Sequence, residues 1–206
     1  MSDPLSHAWW IASRASGAVA LLLVTLSVAL GLAMSAKVMR KRKLGPALMA
    51  LHEQTALAGL IAIGVHGVTL LGDPWLHASL AGISVPFAIG YRSFYTGLGI
   101  IAGWLAALLG LSFYFRKHIG AKVWRKAHRA TFAVWVLGLV HTIGAGTDAS
   151  APWLREFMIV TTAAIAALLA RRLLGAWLHR RDRVVLRRPV ARGRLVETKA
   201  LDQIRT

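Results

Sequence analysis

The stretch from Ala127 to Gly146, AHRATFAVWVLGLVHTIGAG, decides how this chain is read. It is apolar enough to lie in a bilayer, yet it carries His128 near one end and His141 near the other. An imidazole in hydrocarbon is costly unless it is paired, so an ionisable side chain within a membrane span marks a candidate functional site. Residues 47–71 repeat the pattern with His52 and His66.

The rest of the composition agrees with a membrane location. The 206 residues are 56% hydrophobic, with a mean hydropathy of +0.57. Several apolar runs of about 20 residues, the length that crosses a bilayer, produce these values. A net charge of +17 would suit a nucleic-acid partner, since basic chains attract phosphates. Here the positive charge lies between and after the apolar runs, so no nucleic-acid partner is expected. The absence of cysteine excludes disulfides, thiolate metal sites, iron–sulfur clusters and covalent c-type haem. Any metal must use histidine or oxygen.

In chain order, spans are expected at about 15–36, 47–71, 94–115, 127–145 and 154–174, each near the length a bilayer requires. Residues 1–14 form a short outer segment with Trp9 and Trp10 at the interface. A signal peptide is not expected, because its positive charge would precede the apolar core, whereas Lys37, Arg40, Lys41, Arg42 and Lys43 follow it. Pro46 and Pro152 suit the first turns of the second and fifth helices. The loop after Gly72-Asp73-Pro74 has room for a short interfacial helix. Residues 15–174 thus make one bundle domain, and the basic tail 175–206 is expected to be partly disordered.

Charge sets the orientation. Of 25 Lys and Arg, 5 lie in 37–43, 6 in 116–129 and 11 in 171–205. With five spans these segments share one face, which the positive-inside rule makes cytoplasmic. The expected fold is therefore an all-α membrane protein: a five-helix transmembrane bundle, N-terminus outside and C-terminus cytoplasmic, multi-pass in a cell membrane such as a bacterial inner membrane. The second and fourth helices then run parallel. His52 and His128 lie near the inner face, and His66 and His141 nearer the outer.

The separations within the helices, 14 and 13 residues, correspond to about 20 Å of axial rise. Two parallel helices offering imidazoles at two matched depths can hold two six-coordinate haems, one above the other. At about 100° per residue, His66 falls within about 40° of His52, but His141 falls about 140° from His128. The helix is expected to be irregular, either at a distorted first turn holding His128 or near Gly138.

The chain resembles the ferric reductase-like transmembrane domain shared by ferric reductases and NADPH oxidases. The likeness lies in His52-x13-His66, in the segment RKHIGAKVWRKAH over 116–128, and in His128-x12-His141 followed by Gly-Ala-Gly-Thr-Asp. It covers about residues 10–175, the part bearing the histidines that would ligate haem. The resemblance implies two haem b groups, with His52 and His128 on the inner iron and His66 and His141 on the outer. It implies a transmembrane electron-transfer subunit of an oxidoreductase. No GxGxxG fingerprint is present, so the electron donor is expected to be a separate cytoplasmic flavoprotein carrying FMN or FAD, or a membrane quinol. Ferric iron, oxygen or a periplasmic redox protein is the expected external acceptor.

Other residues take supporting places. Haem propionates need cations; Arg14 and Arg92 are the outer candidates, and Lys122, Arg125 and Arg129 the inner ones, each with headgroup contact or orientation as its ordinary alternative. Trp135 lies midway between His128 and His141, suited either to the space between haems or to packing. Glu53 beside His52 is an acid within a span. Two further functions fit the same sequence: a quinol-linked haem subunit for a partner such as a periplasmic methionine sulfoxide reductase, and a haem-free anchor or a metal or proton transporter.

Overall fold

Hydrocarbon offers a backbone no hydrogen-bonding partner, so an apolar segment rich in Ala and Leu satisfies itself as helix. The computed structural model describes residues 4–36 and 44–186, and every regular element among them is helical. The order is α1 (Pro4–Ser35), α2 (Gly45–Leu70), the short α3 (Leu80–Ser84), α4 (Ser93–Leu111), α5 (Arg116–Ile119), α6 (Ala121–His128), α7 (Thr131–Ala145) and α8 (Pro152–Leu186). Four of them, over His7–Ser35, Gly45–Leu70, Ser93–Leu111 and Pro152–Leu178, are long and apolar enough to cross a membrane. Large apolar side chains on their outer surfaces, such as Leu108 and Val160 at 66% exposure, are what a lipid-facing bundle presents.

Three expected boundaries shift. The outer segment 1–14 is helical from Pro4 and continuous with the first span, because proline in the first turn costs no backbone bond. The first part of the basic tail, 175–186, is helical rather than disordered: α8 runs to Leu186, carried by the good helix formers Ala, Leu and Arg. Residues 187–206 lie outside the described ones, as does the basic run 37–43. The expected fourth span, 127–145, is divided. His128 ends α6 and α7 begins at Thr131.

The division is a tightening of the backbone. Arg129 N–H bonds to Lys126 O (3.3 Å), Ala130 to Ala127 O (2.8 Å), Phe132 to Arg129 O (3.3 Å) and Ala133 to Ala130 O (2.9 Å). Each bond reaches back three residues, the 3₁₀ pattern, which winds by about 120° per residue rather than about 100°. Four such steps add about 80° and cut the offset of His141 from His128 from about 140° to about 60°. That is close to the offset of the other pair. Helix α7 continues through Gly138, whose carbonyl accepts from Thr142 Oγ1 at 2.9 Å.

Packing sets the helix neighbours. Antiparallel pairs α1–α2 and α4–α7 make the largest contacts, α1 also touches α7 and α8, and α2 touches α4. Helices α2 and α7 face each other with little backbone contact, flanked on both sides by α1 and α4. Leu32, Trp135 and Ile165 form a core between α1, α7 and α8, and Ala102, Ala106 and Val134 form one between α4 and α7. Trp135 is 4% exposed, and its indole N–H donates to Thr25 Oγ1 at 3.0 Å.

That bond joins two buried groups in a low-dielectric setting, so removing the acceptor strands a donor. Thr25→Val is expected to destabilise the bundle by about 1–2 kcal/mol. Thermal unfolding in detergent checks this: Thr25→Val should melt lower than the parent, and Trp135→Phe made on top of Thr25→Val should cost less than it does alone.

Candidate functional site

The four histidines meet in the two predicted pairs. The rings of His52 and His128 have centroids 6.0 Å apart, and those of His66 and His141 lie 6.2 Å apart. Two pairings in the same sequential order require α2 to run parallel to the segment from His128, at the end of α6, through α7. Their imidazoles bridge the gap that the two backbones leave open.

Three of the four rings are held in one way. His66 Nδ1–H donates to Ser13 O at 2.9 Å, His52 Nδ1–H to Ser27 O at 2.9 Å, and His141 Nδ1–H to Tyr95 O at 2.9 Å. A carbonyl only accepts, so each Nδ1 carries the proton and each Nε2 keeps a free lone pair. This is the arrangement of a metal-ligating histidine, whose second nitrogen is usually anchored to a carbonyl or carboxylate.

Each accepting carbonyl already belongs to a helix and stays reachable for a shared reason. The residue four positions on is glycine in all three cases: Gly17 after Ser13, Gly31 after Ser27, and Gly99 after Tyr95. Helical side chains lean toward the N-terminus, so a side chain at that position would overhang the carbonyl. A Cβ at Gly17 would stand 3.0 Å from His66 Nδ1, one at Gly31 3.3 Å from His52 Cε1, and one at Gly99 2.5 Å from His141 Nδ1. The imidazoles fill the space the missing side chains leave.

His128 is held differently. Its Nδ1 is buried without a hydrogen-bond partner among the described residues, as is Trp124 Nε1. The two rings stack at 4.8 Å with 22° between planes, and Trp124 meets Phe113 edge-on at 5.8 Å.

Beside His66 and His141 lies a cleft bordered by Trp10, Arg14, Tyr91 and Asp148. Arg14 pairs with Asp148 through both its Nε, at 2.7 Å, and its Nη2, and lies over the Trp10 ring at 4.0 Å. Arg92 takes the left-handed conformation at the start of α4 (φ 42°) and donates from Nη1 to Gly144 O at 2.5 Å. Arg14 is thus brought to the outer pair, already neutralised by an acid, while Arg92 ties α4 to the end of α7. Lys122, Arg125 and Arg129 are exposed around His128, and Glu53 is exposed beside His52. Trp135 points to α1 and α8, where it packs and bonds Thr25.

No group of three or more His, Cys, Asp or Glu converges among the described residues. A haem iron takes four ligands from its porphyrin and needs only two from protein. Compared with known proteins, the chain matches no family model, no curated protein and no solved structure.

The glycine seats make a graded prediction. Replacing glycine by alanine within a helix gains about 1 kcal/mol of propensity, while forcing extra volume into a packed site costs about 1–3 kcal/mol. At Gly31 the contact is mild, so Gly31→Ala should leave the melting temperature near or above that of the parent. At Gly99 the ring must move, so Gly99→Ala should lower it. Equal effects from both variants would contradict this account of the seats.

Proposed function

We propose that this chain is a diheme b-type cytochrome that carries electrons across a membrane, with His52 and His128 ligating one iron and His66 and His141 the other. The observation that carries this reading is the pair geometry. Two imidazoles bound to one metal from opposite sides, with metal–nitrogen bonds of about 2.0 Å, place their ring centroids about 6.3 Å apart. The pairs stand at 6.0 and 6.2 Å, and three of the four rings have their free nitrogens defined by Nδ1 anchors. Edge-on ring packing alone spans about 4.5–7 Å; what supports ligation is that nearly the same spacing recurs at both levels while three Nδ1 atoms are turned to carbonyls.

Haem supplies the one-electron chemistry; the chain's residues supply ligation, depth and dielectric. The two levels on α2 are 14 residues apart, about 21 Å of rise, so together they span most of a hydrocarbon core of about 30 Å. In this reading α7, with 15 residues, crosses together with the tightened turn that follows His128, giving five spans with the N-terminus outside. The exposed Lys122, Arg125 and Arg129 then lie on the cytoplasmic face beside His128, where a separate flavoprotein delivers electrons. Electrons leave from the His66–His141 level, beside the Arg14–Asp148 cleft, to an external acceptor such as ferric iron or oxygen. Such a chain is the membrane subunit of an oxidoreductase rather than a complete enzyme.

The purified protein should show b-type bands in a reduced-minus-oxidised spectrum and two haems per chain. His66→Ala and His141→Ala should each reduce the count to one and leave the remaining bands largely unchanged. A count that stays at two in either variant contradicts the pairing, and a spectrum without b-type bands favours a haem-free anchor or transporter.

A further inference from the structure

The four imidazoles are not held alike, and we propose that His128 is an exchangeable ligand: at the inner iron it yields its place to a small neutral ligand such as carbon monoxide, while His52, His66 and His141 stay bound. The inference rests on the two-haem reading above. It concerns which of the four protein ligands opens, a question the pairing itself does not answer.

Three independent features single out His128. Its Nδ1 has no acceptor among the described residues, whereas the other three Nδ1 atoms each donate to a carbonyl at 2.9 Å. It lacks a glycine seat: fourteen residues beyond Tyr95 and Gly99, the step that separates the two seats on α1, stand Leu109 and Phe113. No glycine stands at that step, and Phe113, just beyond the end of α4 at Leu111, contacts Trp124. Finally, His128 is the last residue of an eight-residue helix, followed at once by the 3₁₀ steps around Arg129 and Ala130. The other three sit inside helices of 19, 26 and 15 residues or are anchored to them.

Loss of an outer-shell hydrogen bond to a metal-bound histidine typically costs about 10–100-fold in affinity. His128 forgoes that bond from the outset, and its backbone can shift without breaking a continuous helix. In such an exchange His128 Nε2 would release the metal and keep its lone pair, and the incoming ligand would donate its own. No electron or proton changes hands. Trp124 acts as a positioning residue, because its stacked ring is the contact that keeps His128 directed at His52 when no competing ligand is present.

The test uses the haem-loaded full chain, reduced with dithionite and titrated with carbon monoxide, with haem counted on the same sample. A carbon monoxide difference spectrum amounting to half of the total haem is expected. In His66→Ala, or in His141→Ala if the first does not accumulate, all of the remaining haem should bind carbon monoxide. Trp124→Leu should raise carbon monoxide affinity about 10-fold, the lower end of the outer-shell range, and Trp124→Phe, which keeps the stack, should restore the parent value. Two haems with no carbon monoxide binding overturn the inference while leaving the two-haem reading in place. So does binding that vanishes in the His66 and His141 variants, since the open site would then be the outer one. A haem count of zero overturns both.

Discussion

An imidazole among apolar helices needs an acceptor for its N–H, and the nearest acceptors here, at 2.9 Å, are carbonyls already committed to their own helices. A helical carbonyl has a second lone pair, but the side chain four residues on overhangs it. Glycine at that position lifts the obstruction. The Ser13–Gly17, Ser27–Gly31 and Tyr95–Gly99 seats are three uses of this one device. They fix how α1 packs on α2 and α4 on α7, which histidine nitrogen is protonated, and where the remaining lone pairs point. The gap between α2 and α7 follows, since helices seated on outer neighbours in this way have their imidazoles, rather than their backbones, facing each other.

Much of this is legible in the sequence. Apolar length and the placement of basic residues predict a helical membrane bundle, and matched histidine depths predict the pairs His52–His128 and His66–His141, both of which the structure brings together. The phase of His128 against His141 predicts a fault in the helix, and the fault is present at 129–130 rather than at Gly138. The seats were less visible because each depends on two chain-distant helices. A signal for them does exist: Ser13-x3-Gly17 and Ser27-x3-Gly31 repeat with the same 14-residue step as His52-x13-His66. Read together, the two repeats state the antiparallel register of α1 on α2.

Charge and aromatic residues were harder to place from sequence, because their partners are set by tertiary contact. Arg14 is paired by Asp148, an acid 134 positions away, and Arg92 serves a carbonyl at the end of α7. Trp135 belongs to the packing between α1, α7 and α8, so the matching depth of its position in the sequence did not determine the direction of its ring. Helix propensity, in turn, carried α1 and α8 past the limits that hydropathy alone marks, since Ala, Leu and Arg continue a helix whether or not the segment is apolar.

In the proposed cytochrome each histidine pair closes on a single iron from opposite sides. Electron paramagnetic resonance of the oxidised, purified protein tests it most directly, because two axial imidazoles impose a strong ligand field and a low-spin ferric state. With the ring planes crossed at 89° and 70°, two low-spin ferric signals of high anisotropy are expected, together matching two haems per chain. A predominantly high-spin ferric signal, or a single low-spin species from one haem per chain, would contradict it.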